Sequence, residues 1–196
     1  MRAVVDGVDT AAVILAGGRG SRMDGADKGL LHYQQRPLIE WVLETVQPQV
    51  GEVLISANRN LEVYAKYACR VLPDTLPDFP GPLVGVLTAM EAVDTAWLLV
   101  VTCDTPYLPG DLVRCLAHAA QTDDVPIAVA ADATQTHYTT MLVQTRLADS
   151  LRDYLNSGQR AVHRWQQMFN PAHHVFPGRT LENFNSPADM EDKPRA

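Results

Sequence analysis

The sequence lacks the features that mark several large protein classes. Its 196 residues include three cysteines, Cys69, Cys103 and Cys115, and none of them stands in a C-x-x-C spacing, which argues against a disulfide framework or a zinc site. The longest apolar runs, such as residues 97–101, are far too short to cross a bilayer. Residues 1–10 carry two aspartates and no long apolar core, unlike a signal peptide. These absences predict a cytoplasmic protein without a membrane partner.

An excess of basic charge is also absent. The chain has 16 basic and 23 acidic side chains, a formal net charge of −7, so it has no global attraction for nucleic acid and any polyanion must be held by a local site. Hydrophobic residues make up 46% and charged residues 20%, a balance that argues against disorder. We expect one domain over residues 11–190, flexible termini at 1–10 and 191–196, and a monomer.

Apolar runs alternate along the chain with segments of helical periodicity. This alternation is typical of a parallel sheet covered on both faces. Four prolines within residues 73–82 exclude a regular element there. The sequence therefore predicts a three-layer α/β/α domain with a doubly wound, mostly parallel, Rossmann-like sheet. The predicted strands cover residues 11–15, 53–55, 70–72, 97–102, 127–131 and 140–143, and the predicted helices begin at Pro37 and cover 83–93, 111–120 and 147–156.

A glycine-rich loop, LAGGRGSRM, follows the first predicted strand. Adjacent glycines let backbone N–H groups approach a phosphate chain, and nearby cations can neutralise its oxygens. The dinucleotide-binding motif is excluded because Met23 stands where its third glycine belongs, and a Walker A loop because Ala26 and Asp27 follow Gly25. A flexible turn between strand and helix is the alternative. The candidate phosphate-binding residues are Leu15, Ala16, Gly17, Gly18, Arg22 and Lys28.

Asp104 follows the apolar run WLLVVT and therefore lies at the carboxyl end of a predicted central strand. Open α/β sheets bind ligands at this edge. A single carboxylate there suits Mg²⁺, which takes one or two protein carboxylates and completes its shell with phosphate oxygens and water. A helix cap before Pro106 is the alternative role. Cys103 is interpreted as a packing residue, since no histidine is placed by a motif to activate it.

Six sequence blocks occur in an order that resembles one family of enzymes. They are LAGGRGSRM with the later DK, SANR, LPD, DFPGPLVG, CDTPYLP and NFNSPADM. The first resembles the nucleotidyltransferase superfamily, which includes sugar-1-phosphate and molybdopterin nucleotidyltransferases. Together the blocks resemble the molybdenum cofactor guanylyltransferases over almost the whole chain.

The resemblance implies further site residues. It assigns Ser56 and Asp74 to GTP binding and places Asn183 and Asn185 near the cofactor substrate. A turn before Pro77 is the alternative role for Asp74, and a helix N-cap is the alternative for the asparagines. Two positions depart from the family pattern: Ser56 replaces the usual asparagine, which puts the strength of that contact in doubt, and Asp24 replaces a common glycine.

The function implied is transfer of GMP from GTP to the terminal phosphate of molybdopterin, with release of pyrophosphate. Arg22, Lys28 and Asp104 are the expected catalytic residues, with Mg²⁺ on Asp104. Molybdenum-insertion proteins, apo-molybdoenzymes or their chaperones are further expected partners. The alternatives are a molybdopterin cytidylyltransferase, a sugar-1-phosphate nucleotidyltransferase, which usually has a longer chain, and a nucleotide-binding delivery module without turnover.

Overall fold

The computed structural model describes residues 9–17, 27–74, 81–178, 181–184 and 189. Short 3-10 helices cover residues 28–30, 47–49, 65–67 and 145–147. The strands are β1 (Thr10–Leu15), β2 (His32–Tyr33), β3 (Arg36–Pro37), β4 (Glu52–Ser56), β5 (Arg70–Leu72), β6 (Trp97–Thr102), β7 (Ile127–Ala131), β8 (Thr136–Gln144) and β9 (Ala172–Val175). The helices are α1 (Leu38–Val46), α2 (Leu61–Tyr64), α3 (Pro82–Ala92), α4 (Leu112–Asp123), α5 (Ala148–Asn156) and α6 (Val162–Gln167).

Seven strands form one sheet in the order β5-β4-β1-β6-β8-β7-β9. Strand β8 runs antiparallel to β6 and β7, and the other strand pairs are parallel. β1 lies between β4 and β6, with Leu15 beside Ser56 on one side and Thr102 on the other. The chain thus winds outward from β1 through β4 and β5, then returns to the other side of β1 at β6.

Helices cover both faces of the sheet. Ala12 and Ile14 of β1 belong to a core cluster with α1 and α4, whereas Ala11 and Val13 belong to a second cluster with α3 and α5. Neighbouring side chains of a strand point to opposite faces, so a strand buried on both faces is apolar throughout. The predicted three-layer α/β/α fold with a mostly parallel sheet is confirmed.

The structure also shows where the sequence patterns were incomplete. β8 begins at Thr136 rather than 140, and its first residues, THYT, form no apolar run that would have predicted a strand. β9 was not predicted, since its sequence AHHV leaves two residues exposed at the sheet edge. The β2–β3 hairpin, α2 and α6 were missed as well. Helix α3 begins at Pro82, inside the segment predicted to be irregular, because proline at a first helical position loses no hydrogen bond.

Predictions for the chain termini fall mostly outside the described residues. Thr10, which was assigned to the flexible N-terminus, is buried in β1. Within the part of the chain that the structure describes, no helix is both long and apolar enough to cross a membrane.

Candidate active site at the carboxyl edge of the sheet

The site lies where β1 and β6 end side by side. The Ala16 N–H donates to the Ser56 carbonyl at 2.8 Å, and the Cys103 N–H donates to the Leu15 carbonyl at 3.1 Å. These two bonds continue the sheet one residue beyond β1 on each side. Because the chain winds in opposite directions on the two sides of β1, the ends of β1 and β6 form the switch point at which doubly wound sheets bind ligands.

Gly17 begins the predicted phosphate loop. A Cβ atom at Gly17 would lie 3.1 Å from Nδ2 of Asn58, which is closer than ordinary carbon–nitrogen contact. A glycine is therefore the residue that lets the loop pass against Asn58. Gly18, Arg22 and the departure at Asp24 lie outside the described residues.

Lys28 and Asp104 meet at this edge although 76 positions separate them in sequence. The Lys28 Nζ atom lies 3.0 Å from Oδ2 of Asp104, with side-chain exposures of 25% and 9%. The lysine is thus partly open to solvent, while the carboxylate is nearly covered. The structure therefore brings together the predicted cation and the predicted metal ligand.

The second carboxylate oxygen of Asp104 fits a metal-ion ligand. Oδ1 is buried and has no hydrogen-bond partner among the described residues. A buried carboxylate oxygen without a hydrogen-bond donor lowers the stability of the fold, and a divalent cation bound to this oxygen would be the partner that it lacks. The described residues hold no group of three or more histidine, cysteine or acidic side chains arranged to bind a metal. The chemistry therefore suits magnesium, which needs few protein ligands, better than zinc.

Asp27, Tyr64 and Asn60 fix the segment that carries Lys28. The Tyr64 hydroxyl donates to Oδ1 of Asp27 at 2.5 Å, and the Asn60 side-chain amide donates to Oδ2 at 3.0 Å. Burial, with the Asp27 hydrogen bond second, raises the pKa of Tyr64, so this hydroxyl stays protonated as a donor. Asp27 is therefore an anchor, one residue before Lys28.

Gly29 lies against a buried wall on the other side of Lys28. A Cβ at Gly29 would lie 2.5 Å from the Tyr64 hydroxyl oxygen and 3.3 Å from Cβ of Cys103. Burial raises the pKa of the Cys103 thiol well above its ordinary value, which supports a packing role rather than a nucleophilic one. Lys28 is consequently held between a hydrogen-bonded anchor and a close backbone contact.

Ser56, Asn58 and Asp74 form a second polar group at the ends of β4 and β5. The Asn58 side chain binds Asp74 twice: Nδ2 donates to Oδ2 at 2.7 Å, and the Asp74 backbone N–H donates to Oδ1 at 2.8 Å. The Ser56 hydroxyl is buried and 3.5 Å from Oδ1 of Asp74. A Cβ at Gly85 would lie 2.5 Å from this hydroxyl, so helix α3 approaches Ser56 closely. Asp74 is thus oriented mainly by Asn58.

A groove of about 650 Å³ lies at the amino end of β8, beside α6 and the segment 181–184. Asn183 is in its lining, and its Oδ1 accepts from the Thr105 hydroxyl at 3.1 Å. The groove lining does not include Lys28 or Asp104. Thr105 follows Asp104 directly, and the Phe184 N–H donates to the Asp104 carbonyl at 2.8 Å. Asn183 therefore connects the groove to the Asp104 strand end, whereas Asn185 lies outside the described residues.

Several residues of the site were missed in the sequence. Asn58 belongs to the SANR block, and its position just after a strand end was a usable signal. Asp132, which follows the apolar strand β7, also lies at this edge of the sheet, and the reasoning used for Asp104 would have predicted its place. Tyr64 and Thr105 gave no such signal, because their roles depend on contacts with distant residues.

The chain is similar in sequence to a known protein family. The family model for the MobA-like NTP transferase domain matches residues 12–173. A molybdenum cofactor guanylyltransferase from Acidovorax sp. strain JS42 is 44% identical over 174 residues, which cover 84% of this chain and 82% of the relative.

Solved structures share the fold at lower identity. Molybdopterin-guanine dinucleotide biosynthesis protein A from Archaeoglobus fulgidus has a TM-score of 0.72 and 19% identity, and the match covers 93% of this chain and 95% of that one. The manganese complex of Rv0371C from Mycobacterium tuberculosis H37Rv has a TM-score of 0.63 and 14% identity, covering 92% and 95% of the two chains.

Proposed function

The chain belongs to the MobA-like NTP transferases, and we propose on that basis that it acts as a molybdenum cofactor guanylyltransferase. The reaction joins GMP from GTP to the terminal phosphate of molybdopterin and gives molybdopterin guanine dinucleotide. The structural observation that carries the site assignment is the Lys28–Asp104 pair between β1 and β6, with one Asp104 oxygen buried and without a donor among the described residues.

The acceptor needs no general base. A phosphate monoester has its second pKa near about 6, so at neutral pH it is largely a dianion. One of its oxygens attacks the α-phosphorus of GTP, the bond between the α-phosphorus and the bridging oxygen breaks, and pyrophosphate leaves. Positioning and charge neutralisation therefore carry the catalysis.

Two described side chains of the site serve those needs. Lys28, which Asp27 and Gly29 hold in place, neutralises charge on the phosphate oxygens. Asp104 would hold a divalent cation, magnesium in this proposal, which supplies further positive charge to the phosphates. The backbone N–H groups of Gly17 and Gly18 hold the phosphate chain, whereas the Ala16 N–H is bonded to the Ser56 carbonyl. Arg22 is assigned a role like that of Lys28.

Asp74 is the proposed contact for the guanosine part of GTP. The Watson–Crick edge of guanine offers two N–H donors, and one carboxylate accepts both. Asn58 orients Asp74 through two hydrogen bonds, one that it donates to the carboxylate and one that it accepts from the Asp74 backbone N–H. Ser56 is assigned to the same subsite, where its buried hydroxyl supports Asp74 at 3.5 Å in place of the longer asparagine.

Molybdopterin is assigned to the groove that Asn183 lines, with Asn185 as a further contact. Asn183 joins this groove to the residue after Asp104, so a ligand there lies next to the phosphate-transfer site. We place the enzyme in the cytoplasm as a monomer, where molybdenum-insertion proteins and apo-molybdoenzymes or their chaperones are its proposed partners.

The first experiment measures transfer by the purified protein with GTP, CTP or ATP, molybdopterin as acceptor and magnesium present. We expect kcat/KM to be highest for GTP. A preference for CTP would identify a cytidylyltransferase, and binding of GTP without any product would identify a delivery module.

A second experiment tests the role of Asp104. Asp104→Asn preserves the shape but removes the charge, and we expect kcat to fall roughly 10²-fold or more. Asp123→Asn, at the exposed end of α4, is the matched control and should leave kcat unchanged. Normal turnover by Asp104→Asn at saturating magnesium would refute the metal-ligand role.

A further inference from the structure

A buried aspartate–histidine pair lies beside the groove and has no part in the mechanism above. Nε2 of His137 is 2.6 Å from Oδ2 of Asp132, with side-chain exposures of 7% and 1%. Asp132 follows β7, and His137 is the second residue of the antiparallel β8, so both lie at the same edge of the sheet as Asp104. His137 lines the groove.

The Asp132 carboxylate accepts hydrogen bonds on both oxygens. Oδ1 accepts from the Thr134 N–H at 2.8 Å, the Thr134 hydroxyl at 2.6 Å and the Gln135 N–H at 3.0 Å. Oδ2 accepts from the Leu181 N–H at 3.2 Å and faces the His137 ring. Burial alone would raise the pKa of Asp132, but the bonds from Thr134, His137 and Gln135 outweigh it and lower the pKa. Since Asp132 is ionised, Nε2 of His137 carries a proton and donates it.

The two oxygens serve different purposes. The three bonds to Oδ1 close the short connection between β7 and β8, which a purely structural aspartate would also do. The bonds at Oδ2 connect Asp132 to residues outside this connection. They hold the ring of His137 and the backbone at Leu181, where the segment that carries Asn183 begins. Both His137 and Asn183 line the groove.

We propose that Asp132 is a positioning residue for the acceptor substrate, because its Oδ2 sets the His137 ring and the Asn183 segment relative to each other across the groove. The inference rests on the proposed function, in which the groove takes molybdopterin. Because Nε2 of His137 is bonded to Asp132, Nδ1 is the ring nitrogen that would form a hydrogen bond with a ligand in the groove.

The proposal is tested with Asp132→Asn and His137→Gln. In Asp132→Asn the amide oxygen can still close the turn, but the NH₂ group must face the Leu181 N–H and the protonated Nε2, so the Oδ2 contacts are lost. We expect KM for molybdopterin to rise roughly 3- to 10-fold in either variant, while KM for GTP stays constant, since about one hydrogen bond to the ligand is lost. His173→Gln on β9 is the control, because His173 is exposed and outside the groove.

The double variant shows whether the two residues act as one unit. If Asp132 acts mainly through His137, Asp132→Asn adds less than its single effect on KM when His137 is already glutamine. If KM for molybdopterin in the double variant rises by the product of the two single fold-changes, the idea that Asp132 acts mainly through His137 is refuted.

A merely structural Asp132 gives a different pattern. Its loss would lower Tm and the active fraction, with both KM values unchanged, and His137→Gln would then be silent. Unchanged KM values in Asp132→Asn would overturn the proposal, and so would an unchanged KM for molybdopterin in His137→Gln. If Asp132→Asn does not fold, His137→Gln alone tests the proposal. Titration of molybdopterin binding without nucleotide or metal gives a readout independent of transfer. If the wild-type protein binds molybdopterin but transfers no GMP, the proposed function fails, whereas unchanged binding by both variants refutes only this inference.

Discussion

Replacing Gly29 with alanine adds one methyl group beside Lys28 and should damage both stability and catalysis. The new Cβ would lie 2.5 Å from the Tyr64 hydroxyl oxygen and 3.3 Å from Cβ of Cys103. Neither neighbour can easily withdraw. Tyr64 is fully buried and its hydroxyl is bonded to Asp27, while Cys103 is buried at the end of β6. The backbone at Gly29, and with it Lys28, must therefore move.

The size of the effect follows from that contact. Ordinary contact begins near 3.4 Å, so relief of the clash requires a shift of roughly 1 Å. Overpacking of a rigid core typically costs about 1–3 kcal/mol. For a domain of this size we expect Tm to fall by about 2–4 °C per kcal/mol. A displacement of roughly 1 Å at a catalytic cation can lower the rate by up to about 10²-fold.

The assay compares Gly29→Ala with Gly110→Ala. Gly110 is exposed, and a Cβ there would meet no atom within 4 Å, so this control adds the same methyl group without a clash. Thermal unfolding measures the first effect and single-turnover transfer at saturating GTP the second. Wild-type Tm and rate in Gly29→Ala would refute the view that this contact fixes Lys28. A lower Tm with a normal rate would show that Lys28 tolerates the shift.

Three further predictions follow from the same geometry. Lys28→Ala should lower kcat roughly 10²- to 10³-fold and weaken GTP binding much less, because the lysine neutralises charge that develops during transfer. GTP titration measures the affinity, and single-turnover kinetics measure the rate. A variant with weak GTP binding but a normal saturated rate would show a binding role alone. Asn58→Ala should raise KM for GTP about 3- to 10-fold, since Asp74 loses two orienting hydrogen bonds, and unchanged steady-state KM would contradict this. Folding lowers the pKa of Asp132, so the stabilisation by its ionised carboxylate is present above the ordinary aspartate pKa of about 4 and is lost as pH falls below that value. The difference in urea midpoint between wild type and Asp132→Asn should therefore become smaller toward acid pH. A difference that does not change with pH would contradict the stabilising role of the ionised Asp132 carboxylate.

The sequence predicted the central strands well because burial on both faces demands continuous apolar residues. β1, β4, β6 and β7 therefore lie within one residue of their predicted bounds. The edge strand β9 could not be predicted in the same way. Its histidines are accommodated at the rim, where a strand needs one neighbour and little apolar surface.

The candidate site was predictable where a residue follows a strong strand. Asp104 was placed at the sheet edge for this reason, and the structure puts it beside Lys28. The contacts that hold these residues were not predictable, since Tyr64 reaches Asp27 across 37 positions and Phe184 reaches Asp104 from near the C-terminus. Such contacts depend on how helices and loops pack, which periodicity does not encode.

The contacts of segment 181–184 determine how the protein would respond to cleavage of the chain. All strands of the sheet precede it in the chain, yet it joins Asp132 through Leu181 and Asp104 through Phe184. The Phe184 ring completes an aromatic cluster with Tyr33 and Tyr107, at centroid distances of 5.0 and 5.8 Å. A cut between β9 and this segment would therefore leave all seven strands of the sheet in one piece of chain, but it would separate them from the contacts at Asp104 and Asp132. Proteolysis before residue 181 should thus leave the centre of the domain folded and impair the edge of the sheet at which the proposed site lies.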